Sequence, residues 1–292
     1  MLDTSNLNQN VLELIRRTST DLSPDVETAL KRAYEREEKK SAAAGVLNVI
    51  LNNIEMARKN STPLCQDTGT PIFYVHYPTG LSTLKLKEQI QQAMIAATEN
   101  SYLRPNAVDS LTGKNSGNNL GKDFPTIHFE EWQDDYLKVD LMLKGGGCEN
   151  VGAQYRLPHA PLQAGRDLTG VKKVVLDAVY QAQGKGCAPG ILGVGIGGDR
   201  GTSYLLSKQQ LFRKLEDRNE NEELQAAEEE LLQKANRLQI GPMGFGGKTT
   251  LLAVKMDWMH RLPASFFVSI SYMCWADRRK SMVLRNGKAE IS

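Results

Sequence analysis

The sequence has no run of 18 or more apolar residues, and its N-terminus lacks the order of basic region, apolar stretch and small-residue cleavage site that marks a secretory leader. It therefore reads as soluble and cytoplasmic. Charge of one sign is also missing: 36 Lys and Arg stand against 34 Asp and Glu, a formal net charge of +2. Without a basic field there is no electrostatic reason to expect nucleic acid or a membrane as partner, so any anion site has to be local. Closely spaced cysteines are absent too. Cys65, Cys148, Cys187 and Cys274 are separated by 83, 39 and 87 residues, which fits neither zinc-finger nor ferredoxin spacing. A chain of 292 residues with no export signal does not need disulfide staples, and reduced thiols are the default. The four histidines, His76, His128, His159 and His260, show no HExxH or paired spacing and read as core or surface residues. A phosphate loop fails by one residue. In "GPMGFGGKTT", counting back from Gly247-Lys248-Thr249 puts Pro242 where the first glycine belongs, although Lys248 is still available to an anion.

What is present is a mixed pattern with 40% hydrophobic residues, enough for a sizeable core. Ser23 and Pro24 mark a helix start, with Val26, Leu30, Ala33 and Tyr34 at helical spacing, and a second helical stretch runs from Val46 toward Asn60. "PIFYVHY" predicts a strand and "LKLKEQIQQAMIAATENSYL" a helix. Asn106 to Pro125 is a long Gly/Asn/Asp-rich connection of the kind that carries function. "TIHFEEW", "YLKVDLMLK", "GILGVGIGG", "TTLLAVKM" and "SFFVSISYMC" predict further strands. A helix is expected near 169–183, a surface helix or helix pair over 208–238, and an Asn-Gly hairpin in "MVLRNGKAEI". The expected fold class is α+β (mixed α/β), one domain over 1–292, with a helical N-terminal part, 1–62, ahead of a mixed-sheet region.

Cys65 in "PLCQDTGTP", Cys187 in "GKGCAPG" and Cys274 before "WADRR" each sit at an element boundary, where a side chain can project into a cleft. Two readings stay open: three converging thiolate ligands, or three unrelated buried thiols. Thiolates are soft ligands suited to iron–sulfur clusters or zinc. A cubane held by three cysteines leaves one iron without a protein ligand, available as a Lewis acid to a substrate hydroxyl or carboxylate, which is what a dehydratase needs. Cys148 follows a triple glycine, Gly145 to Gly147, whose backbone would suit a carboxylate or simply form a flexible turn. Arg104, before a helix-breaking proline, offers a bidentate carboxylate clamp or is an ordinary surface arginine.

Together, "CQDTGTPIFYV", "KGGGCEN", "GCAPGILGVGIGG", "GPMGFGGKTT" and "CWADRR" resemble, in order and spacing, the iron–sulfur hydro-lyase family of class I fumarases and L-tartrate dehydratases, in its α-subunit or N-terminal-domain form. The resemblance implies a sheet region enclosing an oxygen-sensitive four-iron, four-sulfur cluster with one iron not bound by cysteine. It implies ligation by Cys65, Cys187 and Cys274, with Cys148 a non-ligand. It implies Asp67 as the catalytic residue handling a proton near the substrate hydroxyl. Gln66, Arg104, Gly145, Gly146 and Gly147 then become substrate contacts for a small dicarboxylate, with reversible hydration of fumarate to malate as the reaction. A β-type subunit or domain would carry the remaining catalytic groups, and a higher oligomer is expected. The alternatives are an L-tartrate dehydratase α-subunit and a non-catalytic metal-binding scaffold or redox sensor. One departure stands out: many relatives carry histidine twelve residues before the third cysteine, where this chain has Leu262.

Overall fold

In the computed structural model, residues 2–292 are described, and they gather into two compact units. The first takes Met1–Ser23, Asn53–Gly145 and Asp277–Ser292; the second takes Pro24–Asn52 and Gly146–Ala276. Three helices precede the first strand, so the expected helical N-terminal part is present: α1 (Leu7–Thr20), α2 (Pro24–Arg36) and α3 (Ala42–Asn60). The boundary between the units falls within α3.

The first unit is built on a five-stranded sheet in the order β2-β1-β3-β8-β9. β1 (Thr70–Pro78) runs parallel to β2 (Thr126–Trp132) and antiparallel to β3 (Leu137–Lys144), which pairs with β8 (Arg279–Arg285), and β8 turns at Asn286-Gly287 into β9 (Lys288–Ile291). Alternation fixes the buried face. Phe73 lies opposite Leu141 and Val75 opposite Val139, and these side chains meet Leu7, Val11, Leu14 and Ile15 of α1 and Leu86, Ile90 and Met94 of α4 (Thr83–Glu99). Each such side chain contributes about 1.5–3 kcal/mol of burial. α1 was not expected from the sequence; its apolar stripe is short and polar residues surround it. The 106–125 segment is a connection with no strand or helix, carrying only two isolated bridges, as expected.

The second unit holds a four-stranded sheet in the order β4-β7-β5-β6. β5 (Gly190–Ile196) is parallel to β6 (Leu251–Trp258) and antiparallel to β7 (Phe267–Met273), with β4 (Ala153–Arg156) on the outside of β7. On one face, Val171, Val174, Val175 and Val179 of α6 (Leu168–Ala182) and Leu224, Ala227, Leu231 and Ala235 of α8 (Glu222–Arg237) pack against Leu192, Val194, Val254, Met256, Val268 and Ile270. The expected surface helix over 208–238 is therefore amphipathic, with a Leu/Ala stripe inside and its acidic residues outside except Glu228, which is 4% exposed and accepts from the Met256 N–H.

The other face of β5 explains its glycines. A Cβ at Gly193 or Gly195 would overlap the carbonyl oxygens of Ser207 and Ser203, which lie on α7 (Arg200–Gln210). The helix can approach this closely because the contact is lined with small residues. Ser203 and Ser207 hydroxyls pair with those of Ser269 and Ser271 at 2.8 Å each, all four fully buried. Neither α7 nor β4 was expected from the sequence.

Candidate active site

The loop after α3 is assembled within the first unit. Leu64 anchors it: its N–H donates to the Ser19 carbonyl and its carbonyl accepts from Asn53 Nδ2, each at 2.9 Å. Cys65 and Asp67 are half-buried and Gln66 is exposed. The chain then turns sharply, with the Gly69 N–H donating to Asp67 Oδ1 at 3.0 Å. Gly69 has φ +82°, and a Cβ there would lie 2.8 Å from the Leu143 carbonyl carbon and 2.9 Å from the Lys144 nitrogen. Only glycine meets both demands, so the loop lies directly against the end of β3.

Arg104 reaches the same loop. Its backbone N–H donates to Thr68 Oγ1 at 3.1 Å and its Nη1 to the Gln66 carbonyl at 3.3 Å. The long 106–125 segment holds it there. Asn119, 2% exposed, accepts from the Asn106 N–H at 2.7 Å and donates to the Arg104 carbonyl at 2.8 Å, while Asn106 Nδ2 reaches Thr68 Oγ1 at 3.0 Å. The Arg104 side chain is exposed, leaving most of its donors to face solvent or a ligand.

Behind the loop stands Arg278, which the sequence reading quoted but did not assign. It is 2% exposed, and its Nη1 donates to the Asp67 carbonyl at 2.6 Å. Gly145 completes the group: a Cβ there would sit 3.0 Å from Asp67 Oδ2 and 3.7 Å from Arg278 Nη2. Thus Cys65, Gln66, Asp67, Arg104 and Gly145 are brought together in one unit. The set offers one carboxylate, one exposed guanidinium and one exposed amide.

Gly146, Gly147, Cys187 and Cys274 belong to the second unit. Gly145 ends β3, whereas Gly146 and Gly147 are exposed in the first turn of the short helix α5 (Gly146–Asn150). Cys187, half-buried, has φ +56° and follows the 3-10 turn Gln183–Gly186; its carbonyl accepts from the Trp275 N–H at 3.3 Å. That bond ties Cys187 to the residue after Cys274, whose Sγ lies 3.8 Å from the Ala276 carbonyl oxygen. Cys148 is buried, with its Sγ 4.0 Å from the Gly186 carbonyl. Tyr272 forms the floor: a Cβ at Gly186 would meet its Cε1 at 2.5 Å. Burial first, then the electrostatic influence of the neighbouring Cys274, Cys148 and Cys187, pushes the Tyr272 phenol well above its ordinary pKa.

The donor set fits an iron–sulfur cluster chemically. Among the described residues none of the cysteines is in a disulfide, and thiolates are the ligands such clusters take. Among the same residues no three or more His, Cys, Asp or Glu form a group that could hold a metal ion.

The glycine-rich "GPMGFGGKTT" segment is occupied by the protein itself. Its Lys248 and Thr249 N–H groups donate to the Glu37 carboxylate at 2.9 Å, and Glu37 is 7% exposed. The segment thus does bind an anion through its backbone, but that anion is a side chain of α2's C-terminal turn. Leu262, twelve residues before Cys274, is 74% exposed between β6 and β7, and His260 is exposed with its ring 5.4 Å from that of Trp258.

A family model described as fumarate hydratase (Fumerase) matches residues 8–283, almost the whole chain and both groups of residues above. The chain belongs to the fumarate hydratase family. A Geobacillus stearothermophilus protein carrying the provisional name fumarate hydratase class I is 51% identical over 288 residues, 98% of this chain and 56% of the relative. The chain thus spans little more than half of that relative's length. A Methanocaldococcus jannaschii protein provisionally named L(+)-tartrate dehydratase subunit alpha is 36% identical over 92% of this chain and 94% of its own. The L(+)-tartrate dehydratase subunit alpha of Escherichia coli K12 is 29% identical over 95% and 90%. Among the described residues no helix is long and apolar enough to cross a membrane.

Proposed function

We propose that this chain is the α-type part of an iron–sulfur hydro-lyase that reversibly hydrates fumarate to malate. The observation that carries the reading is the loop set in the first unit, where Asp67, Gln66 and Arg104 are held beside Cys65 by one hydrogen-bonded turn. Cys65, Cys187 and Cys274 are the proposed ligands of a four-iron, four-sulfur cluster. When bound, the cluster supplies a Lewis-acidic iron, not held by cysteine, for the substrate hydroxyl and a carboxylate.

The chain's own residues do the rest. The Asp67 carboxylate holds or moves the hydroxyl proton, with the Gly69 N–H on Oδ1 helping to orient it. The Arg104 guanidinium pairs with a substrate carboxylate, and the exposed Gln66 amide offers both a donor and an acceptor to the diacid. Gly145, Gly146 and Gly147 present backbone where no side chain obstructs a carboxylate. A β-type partner supplies the group that removes the carbon-bound proton; support comes from the longer Geobacillus relative and from relatives named as alpha subunits.

The test is anaerobic reconstitution of the chain with iron and sulfide, with and without a β-type partner, followed by consumption of fumarate. Turnover only with the partner is expected, and absence of turnover with every partner refutes the reading. The tartrate dehydratase relatives support a second substrate, a dihydroxy diacid on the same groups, and direct competition between tartrate and malate decides between them.

A further inference from the structure

Four consecutive charged residues, Asp277 to Lys280, are buried at 0%, 2%, 6% and 8% exposure. Three of them have ordinary electrostatic reasons to be there. Asp277 and Arg279 pair at 3.2 Å, and Lys280 lies 3.6 Å from Asp21. Arg278 is held differently. Its identified bond goes to a backbone carbonyl, that of Asp67, and its Nε is a buried donor without a hydrogen-bond partner among the described residues. A buried arginine with an unused donor is costly and is not what fold stability alone selects.

Resting on the hydro-lyase reading above, we infer that Arg278 is a positioning residue for Asp67. Its guanidinium holds the Asp67 carbonyl and, with Gly145, sets where the carboxylate of the same residue lies. Three observations converge on this. The carbonyl bond is short, at 2.6 Å, and charge-assisted. Asp67 Oδ2 and Arg278 Nη2 both lie within 4 Å of the place a Gly145 Cβ would occupy, so a side chain there would press on both groups. The Gly69 N–H on Oδ1 supplies a second restraint on the same carboxylate. An acid–base group held at its backbone, at one oxygen and by a shaped gap has little freedom left to lose on reaching the transition state.

The experiment compares Arg278→Lys and Arg278→Met with the natural chain, each reconstituted anaerobically and combined with the β-type partner. Three readouts are taken: hydrogen exchange of the 64–70 peptide, iron and sulfide content, and kcat and KM for fumarate. Arg278→Met is expected to speed exchange of that peptide about ten-fold or more, since it deletes a charge-assisted bond. Its kcat is expected to fall about 100-fold with KM moved less than about three-fold and cluster content unchanged. Arg278→Lys keeps a cationic donor and recovers part of both effects. Unchanged exchange of 64–70 in both variants overturns the inference, as does global unfolding of both, which makes Arg278 a residue of the fold. If the natural chain never turns over fumarate, the hydro-lyase reading fails, while the exchange measurement still decides whether Arg278 holds Asp67.

Discussion

Gly69→Ala is the substitution that most sharply tests the geometry of the Cys65 loop. The backbone at Gly69 has φ +82°, which costs a residue with a Cβ about 1–2 kcal/mol. The added methyl would lie 2.8 Å from the Leu143 carbonyl carbon and 2.9 Å from the Lys144 nitrogen. Both are backbone atoms of a paired strand and cannot rotate away, so relief requires the loop or the end of β3 to move, at about 1–3 kcal/mol. Against this, alanine loses less chain entropy on folding, worth about 0.5–1 kcal/mol. The net expectation is a loss of about 2–4 kcal/mol in urea unfolding, with reduced cluster incorporation because Cys65 rides on the displaced segment. Gly145→Ala is the matched control. Its methyl meets side-chain tips, Asp67 Oδ2 at 3.0 Å and Arg278 Nη2 at 3.7 Å, at ordinary backbone angles. It should cost less than about 1.5 kcal/mol. A Gly69→Ala loss under about 1 kcal/mol, or a larger loss at Gly145 than at Gly69, would refute this account of the turn.

Glu37→Ala removes the carboxylate that accepts from the Lys248 and Thr249 N–H groups and leaves the buried Thr249 N–H without its acceptor; about 1–3 kcal/mol of stability should be lost in chemical denaturation. Glu37→Gln, which keeps one acceptor oxygen, should lose less than half of that. Among the cysteines, Cys65→Ser should abolish assembly of a complete cluster, whereas Cys148→Ser should retain iron and sulfide at natural levels, both read by metal analysis after anaerobic reconstitution. Full loading of the Cys65 variant would remove Cys65 from the ligand set.

The parts of the fold that were legible in the sequence are those whose side chains alternate or repeat strongly. β1, β2, β3, β6, β7 and the Asn286-Gly287 hairpin read directly as strands because β-branched and aromatic residues cluster between turn formers. α7 was hidden because its buried face is serine rather than leucine: Ser203 and Ser207 pack where the glycines of β5 leave no room for more. α1 was hidden by its polar surroundings, though Leu7, Val11, Leu14 and Ile15 have helical spacing. In the candidate site, the "CQDTG" residues and Arg104 stood out by type and context. Arg278 did not, since a run such as Asp277 to Lys280 reads as solvated surface, and the partners of Arg278 and Lys280, Asp67 and Asp21, lie far away in the chain. The one available signal was an arginine pair directly after an apolar strand and a cysteine.

The self-occupied glycine segment bears on how the rest of the chain handles anions. In "GPMGFGGKTT" backbone N–H groups do close on a carboxylate, but the carboxylate is Glu37, on the same unit, so the segment contributes fixed structure and not ligand affinity. The Asp67 loop is built the opposite way. Its backbone groups are used internally, Gly69 N–H on Asp67 Oδ1, Arg104 N–H on Thr68 and Arg278 on the Asp67 carbonyl, while the Gln66 and Arg104 side chains remain exposed. Saturating the backbone frees the side chains. On the hydro-lyase reading proposed above, a diacid would meet an Arg104 whose backbone is already fixed, and its binding energy would not be spent on ordering that segment. A near-neutral chain would then recognise a dianion through that exposed guanidinium and the Gln66 amide, with no general positive field required.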